Sequence, residues 1–84
     1  MKYLFENKIV NAEEITEIGI GRNKDDVFIG YALTFKSGKE IIFHAENAEG
    51  ATPEIGDFFV DVEGDKVFVC PAEVFNRDYK LIEE

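Results

Sequence analysis

The clearest alternation in the chain runs from Val27 to Phe35, where Val27, Ile29, Tyr31, Leu33 and Phe35 fall on one face at period two. Phe28, Gly30, Ala32 and Thr34 take the other face, and the small residues at 30 and 32 suggest close packing there. Lys36-Ser37-Gly38-Lys39 separates this run from Glu40 to Ala45, so the two predict an antiparallel hairpin. A second hairpin is predicted from Asp57–Val62 and Val67–Cys70, joined through Glu63-Gly64-Asp65-Lys66, with Phe58, Val60 and Val62 inward. Between the hairpins, Glu46 to Gly56 has little periodicity and holds Gly50, Pro53 and Gly56, which predicts a loop.

Pro71 lacks an amide hydrogen and ends its strand; Ala72 to Tyr79 then has room for one helical or 3₁₀ turn pinned by Val74 and Phe75. Lys80 to Glu83 reads as a closing strand with Leu81 or Ile82 buried. The first twenty residues point two ways. Asn11-Ala12-Glu13-Glu14 resembles a helix N-cap with a capping-box Glu, whereas Thr16, Ile18 and Ile20 fit a strand and Gly19 and Gly21 disfavour a long helix. Strands with a helical turn at residues 11–14 as the alternative are predicted.

Five or six short strands and a late helical turn define a mainly β class, a small antiparallel barrel or sandwich, with an SH3-like barrel as one candidate. Tyr31, Leu33, Phe35, Phe43, Phe58, Val60, Val62 and Phe75 are the predicted core. At 84 residues, 45% apolar with eight Phe, the chain is long enough for one domain over residues 1–84 and too apolar for disorder.

Charge changes this picture. The net charge is −9, but residues 1–45 carry six basic and seven acidic side chains, while residues 46–84 carry three basic against eleven acidic. The excess sits in the second half. It implies either solubility or an acidic surface for a partner protein with a basic face, and it argues against direct nucleic-acid binding, which requires clustered Lys and Arg. No apolar run approaches the roughly 18 residues of a bilayer span. The opening MKYLFENKIV places Glu6, Asn7 and Lys8 where a secretory signal would be apolar. With Cys70 the sole cysteine, the expected location is a reducing cytoplasm.

Little in the sequence points to catalysis. His44 is the single histidine, and a Cys70–His44 nucleophile pair would require two unrelated positions to converge. One Cys and one His cannot supply a zinc ligand set, and no cofactor is implied. Acids around Gly64, namely Asp61, Glu63 and Asp65, suit an exposed turn better than a calcium loop. Gly19-Ile20-Gly21-Arg22-Asn23 lacks the third Gly of a dinucleotide fingerprint, although Arg22 and Lys24, with Tyr31 near, could hold an anion at a turn with free amides. The more suggestive pattern is the outward face of the second hairpin. There Asp57, Asp61, Glu63 and Asp65 accompany an exposed Phe59, with alternate residues ~6.7 Å apart, a spacing that could imitate a nucleic-acid backbone.

The order Ile55-Gly56-Asp57-Phe58, Val60, Gly64, Val69-Cys70-Pro71, Val74-Phe75 and Tyr79 resembles the C-terminal part of many small phage and prophage proteins. That family has no agreed activity and no catalytic residues to carry over. Its members often have a basic or neutral hairpin where this chain has four acids. The resemblance implies a phage or prophage origin; together with the acidic second half and the lack of catalytic residues it leads to the expectation of an accessory protein, monomeric or a small homo-oligomer, that acts by binding in the host cytoplasm and inhibits a host nucleic-acid-handling or defence protein. A sequestering protein for a small nucleotide or metabolite and a minor phage structural protein are the alternatives.

Overall fold

The structure, a computed structural model, describes residues 1–48, 52–62 and 67–83. Its first strand, β1 (Lys2–Phe5), turns at Glu6 and Asn7 into β2 (Lys8–Arg22), which is 15 residues long. The helical alternative for residues 11–14 does not form. Asn11 to Glu14 pair instead with β5 (Phe58–Asp61), from Asn11 opposite Asp61 to Glu14 opposite Phe58. Ala12 at their centre is buried, so long-range pairing overrides a local cap.

The long β2 strand serves two sheets. Its first part pairs with β1, which in turn pairs with β7 (Lys80–Glu83), and with β5, which pairs with β6 (Val67–Cys70). Its second part pairs with β3 (Phe28–Phe35), and β3 pairs with β4 (Glu40–His44). The switch lies at a register break between Ile15 and Glu17. There Ile15 exchanges backbone bonds with the Gly56–Asp57 turn while the Glu14 carbonyl accepts from the Lys36 amide. A bulge bends a strand and increases its twist, which lets one strand leave the first sheet and enter the second.

Two clusters fill the interior. Tyr3, Val10, Ala12, Phe58, Val60, Cys70 and Phe75 lie between the first sheet and α2 (Ala72–Asp78). Ile15, Leu33, Phe35 and Phe43 form the second, against which Phe59, Val67 and Val69 pack from the β5–β6 hairpin. That hairpin is therefore covered on both faces.

The antiparallel, mainly β architecture and the helix near the C-terminus are as the sequence predicts, with seven strands among the described residues rather than five or six. Six of the eight predicted core residues are buried, while Tyr31 and Val62 are half-buried. Four differences stand out. A short helix, α1 (Ala45–Ala48), occupies the start of the stretch read as loop. Tyr3, Val10, Ala12 and Ile15 join the core from the segment that read two ways. Gly21 pairs with Gly30 but Arg22 with Phe28, so Ile29 is an extra residue that breaks the alternation, and Val27 is exposed outside the strand. Finally, Leu81 and Ile82 are exposed rather than buried, because β7 adds to the sheet at its edge and is bulged against β1 between Lys2 and Tyr3.

Candidate binding groove

The acidic strand divides into parts with different duties. Asp57 is half-buried, and its carboxylate accepts the Glu54 amide at 3.1 Å and the Ala72 amide at 3.1 Å. It clips the turn before β5 to the first residue of α2. Phe59 is not the exposed aromatic that the alternation suggests. Its ring lies 5.4 Å from that of Phe35 and 5.7 Å, edge-on, from that of Phe43, because the second sheet covers this face of the hairpin. Asp61 is exposed. Glu63 and Asp65 lie outside the described residues.

Beside Asp61 the two sheets diverge around a groove of about 400 Å³. Its apolar floor is Phe35, Ile41 and Phe59, and its rim includes Asn11, Glu13, Lys39 and Asp61. The register explains the convergence. Asn11 stands opposite Asp61 and Glu13 opposite Phe59, so all four share the face of the first sheet that looks toward β3 and β4. Glu13 and Asp61 are diagonal neighbours, which places their Cα atoms roughly 7–8 Å apart. The Ser37 hydroxyl, in the β3–β4 turn, donates to Glu13 Oε1 at 2.6 Å and fixes that carboxylate at the rim. Glu13 and Asp61 place two carboxylates at the mouth beside the Lys39 ammonium, and Met1 joins the lining. Phe35 is almost fully buried, so it is the half-buried Phe59 ring that the floor can present to a guanidinium or ammonium group, an attraction of ~0.5–1 kcal/mol at exposed sites.

Asp61 and Phe59 were candidates on sequence grounds, while Asn11, Glu13 and Lys39 were not. The signal for Asn11 and Glu13 was their alternation, which the capping-box pattern concealed.

The other candidates are not assembled into sites. At the tip of the β2–β3 hairpin, Asn23 Oδ1 accepts the amides of Asp25 and Val27, and the Asp26 amide donates to the Asn23 carbonyl. These amides are taken up within the turn and do not point at an anion. Arg22 likewise donates to the Asp26 carbonyl at 3.2 Å and lies 3.8 Å from its carboxylate. Lys24 is exposed, and the Tyr31 ring meets Phe28 edge-on at 5.4 Å. Cys70 and His44 are not brought together, since Cys70 is buried under α2 and His44 is exposed on the other sheet. Burial pushes the Cys70 thiol above its ordinary value, and Asp57 and Asp78 add to the shift, which holds the sulfur in its less nucleophilic protonated form.

Among the described residues no three His, Cys, Asp or Glu side chains converge as a metal site, and no helix is long and apolar enough to cross a membrane. No family model matches the chain, nor does any curated protein or solved structure.

Proposed function

We propose that the protein acts by binding a basic partner protein, with the groove receiving a Lys or Arg side chain of that partner. The observation that carries this reading is the placement of Glu13 and Asp61 on the rim of an aromatic floor. A cationic side chain in the groove would meet two carboxylates at its charged end and the half-buried Phe59 and Ile41 along its apolar stem, as long basic side chains prefer. The chain's net charge of −9 draws such a partner in and raises the association rate. The phage-like order of residues from Ile55 to Tyr79 supports the setting, an accessory protein in a host cytoplasm that occupies the basic surface of a nucleic-acid-handling or defence protein and so inhibits it.

The test is titration with a short Arg- and Lys-rich peptide, followed by backbone NMR. The expected result is that the Asn11, Glu13, Ile41 and Asp61 amides shift together. Asp61→Asn combined with Glu13→Gln preserves shape and removes both charges. Exposed ion pairs contribute ~0.2–1 kcal/mol each, so losing two should lower affinity roughly two- to thirtyfold. Shifts centred elsewhere, or an unchanged affinity in the double variant, would remove the groove from consideration.

A further inference from the structure

Among the described residues the β4 strand is a sheet edge with no strand on its outer side, and it pairs with β3 alone. Proteins usually guard such edges with proline, lysine, a bulge or a covering element. The other edges show these devices. The β7 strand starts at Lys80 and is bulged against β1; β6 stops at Pro71; the second half of β2 has register breaks at both ends. By contrast, Glu40 to His44 run in unbroken register with β3 and contain neither proline nor lysine.

The direction of its free groups follows from one bond. The Phe35 amide donates to the Lys39 carbonyl at 2.9 Å, so Lys39, Ile41 and Phe43 turn their backbone groups toward β3. Glu40, Ile42 and His44 therefore present theirs to the open edge. The side chains of these same three residues are exposed, Ile42 to 46%.

We infer that this edge is a pairing surface for a second copy of the chain, added antiparallel about a two-fold axis at Ile42. The sequence Glu40-Ile41-Ile42-Phe43-His44 is complementary to itself in that arrangement alone. Ile42 meets Ile42 of the second copy, and Glu40 faces His44 of the second copy at each end. A carboxylate acceptor then lies opposite an imidazole N–H donor twice over, with an apolar contact between them. Every outward N–H and C=O of the three residues is paired. A register shifted by one residue would direct the groups of Ile41 and Phe43, already bonded to β3, at the partner. The two-fold also continues the second sheet across both copies and closes the edge in each, as an isologous interface must.

A single five-residue strand buries less than the ~1,200 Å² of a standard interface, which places the association in the weak, concentration-dependent class. Sedimentation velocity from micromolar to millimolar protein should show conversion of monomer to dimer. Hydrogen exchange supplies the residue-level signature: the Glu40, Ile42 and His44 amides gain protection as concentration rises, while Ile41 and Phe43 are protected throughout. Ile42→Lys should abolish the dimer. His44→Glu should do the same by setting carboxylates against each other, and adding Glu40→His to it should restore pairing with the two roles exchanged. Circular dichroism and melting temperature check that each variant is folded, which the exposure of positions 40, 42 and 44 favours. Should Ile42→Lys not fold, the His44→Glu loss and its rescue decide. A chain that stays monomeric at millimolar concentration, a dimer protected at other amides, or a dimer indifferent to His44→Glu overturns the inference.

Discussion

A β-carbon added at Gly30 would press on the Phe43 carbonyl oxygen and lie 2.8 Å from the His44 Cα, both backbone atoms of β4 that cannot swing aside. At Gly19 the same atom would meet only the Ala32 β-carbon at 3.7 Å, an ordinary contact. The two glycines are on the same pair of strands and look alike in sequence, yet only one is required. Gly30→Ala forces β3 and β4 apart, and overpacking of this kind costs about 1–3 kcal/mol, sometimes more. Gly19→Ala relieves the entropic penalty of glycine in a strand and should change stability by less than ~0.5 kcal/mol. Urea denaturation of the two variants beside the parent checks the pair; equal midpoints would mean that the β3–β4 approach is looser than described. Because Gly30 sits opposite His44, its replacement would also disturb the edge that carries the proposed pairing.

Asp57 acts at the scale of elements, since one carboxylate ties the turn before β5 to the start of α2. Helix α2 begins after Pro71, which supplies no side-chain cap, so the Ala72 amide depends on a residue fifteen positions earlier. Asp57→Ala should destabilise the fold by ~1–2 kcal/mol, the range for losing a helix cap, and Asp57→Asn, which keeps one acceptor, by less. A chemical-denaturation midpoint unchanged in Asp57→Ala would show that the clip is not needed. This residue also shows how far the elements were legible. The β3–β4 and β5–β6 hairpins and α2 could be read because strict alternation, Gly-containing turns and Pro71 are local signals. The β2 strand could not be read as one element, because Val10 and Ala12 point into one cluster, Ile15 into the other, and the break before Glu17 shifts the phase again. The candidate site was legible in half: Phe59 and Asp61 share a face within one strand, whereas Glu13 and Lys39 reach them only through the pairing of β5 with β2 and the folding of β4 over it. Alternation alone places Asp57 in an outward acidic row, because its bonds to Glu54 and Ala72 depend on tertiary structure that no local pattern encodes.

For the whole molecule, net charge separates the two proposed surfaces. At −9, the chain attracts a basic peptide and repels its own copies. Salt screens both effects, with a Debye length near 10 Å at 0.1 M. Groove binding, driven by charge at the rim, should therefore weaken as salt rises. Pairing through β4 rests on backbone hydrogen bonds, the Ile42 contact and two short Glu40–His44 contacts, which salt weakens far less than the long-range repulsion between two acidic bodies that it screens. Dimerisation should therefore strengthen as salt rises. The check is to repeat the peptide titration and the sedimentation series at low and high ionic strength, with the Asp61→Asn, Glu13→Gln variant in both. In the variant, peptide affinity should lose part of its salt dependence, since two of the charges that set it are gone. The same variant should dimerise slightly more readily than the parent at low salt, because each copy carries two fewer negative charges. If peptide binding and dimerisation respond to salt in the same direction, electrostatic repulsion does not govern the meeting of copies, and the separation of a charge-driven groove from a hydrogen-bonded edge fails.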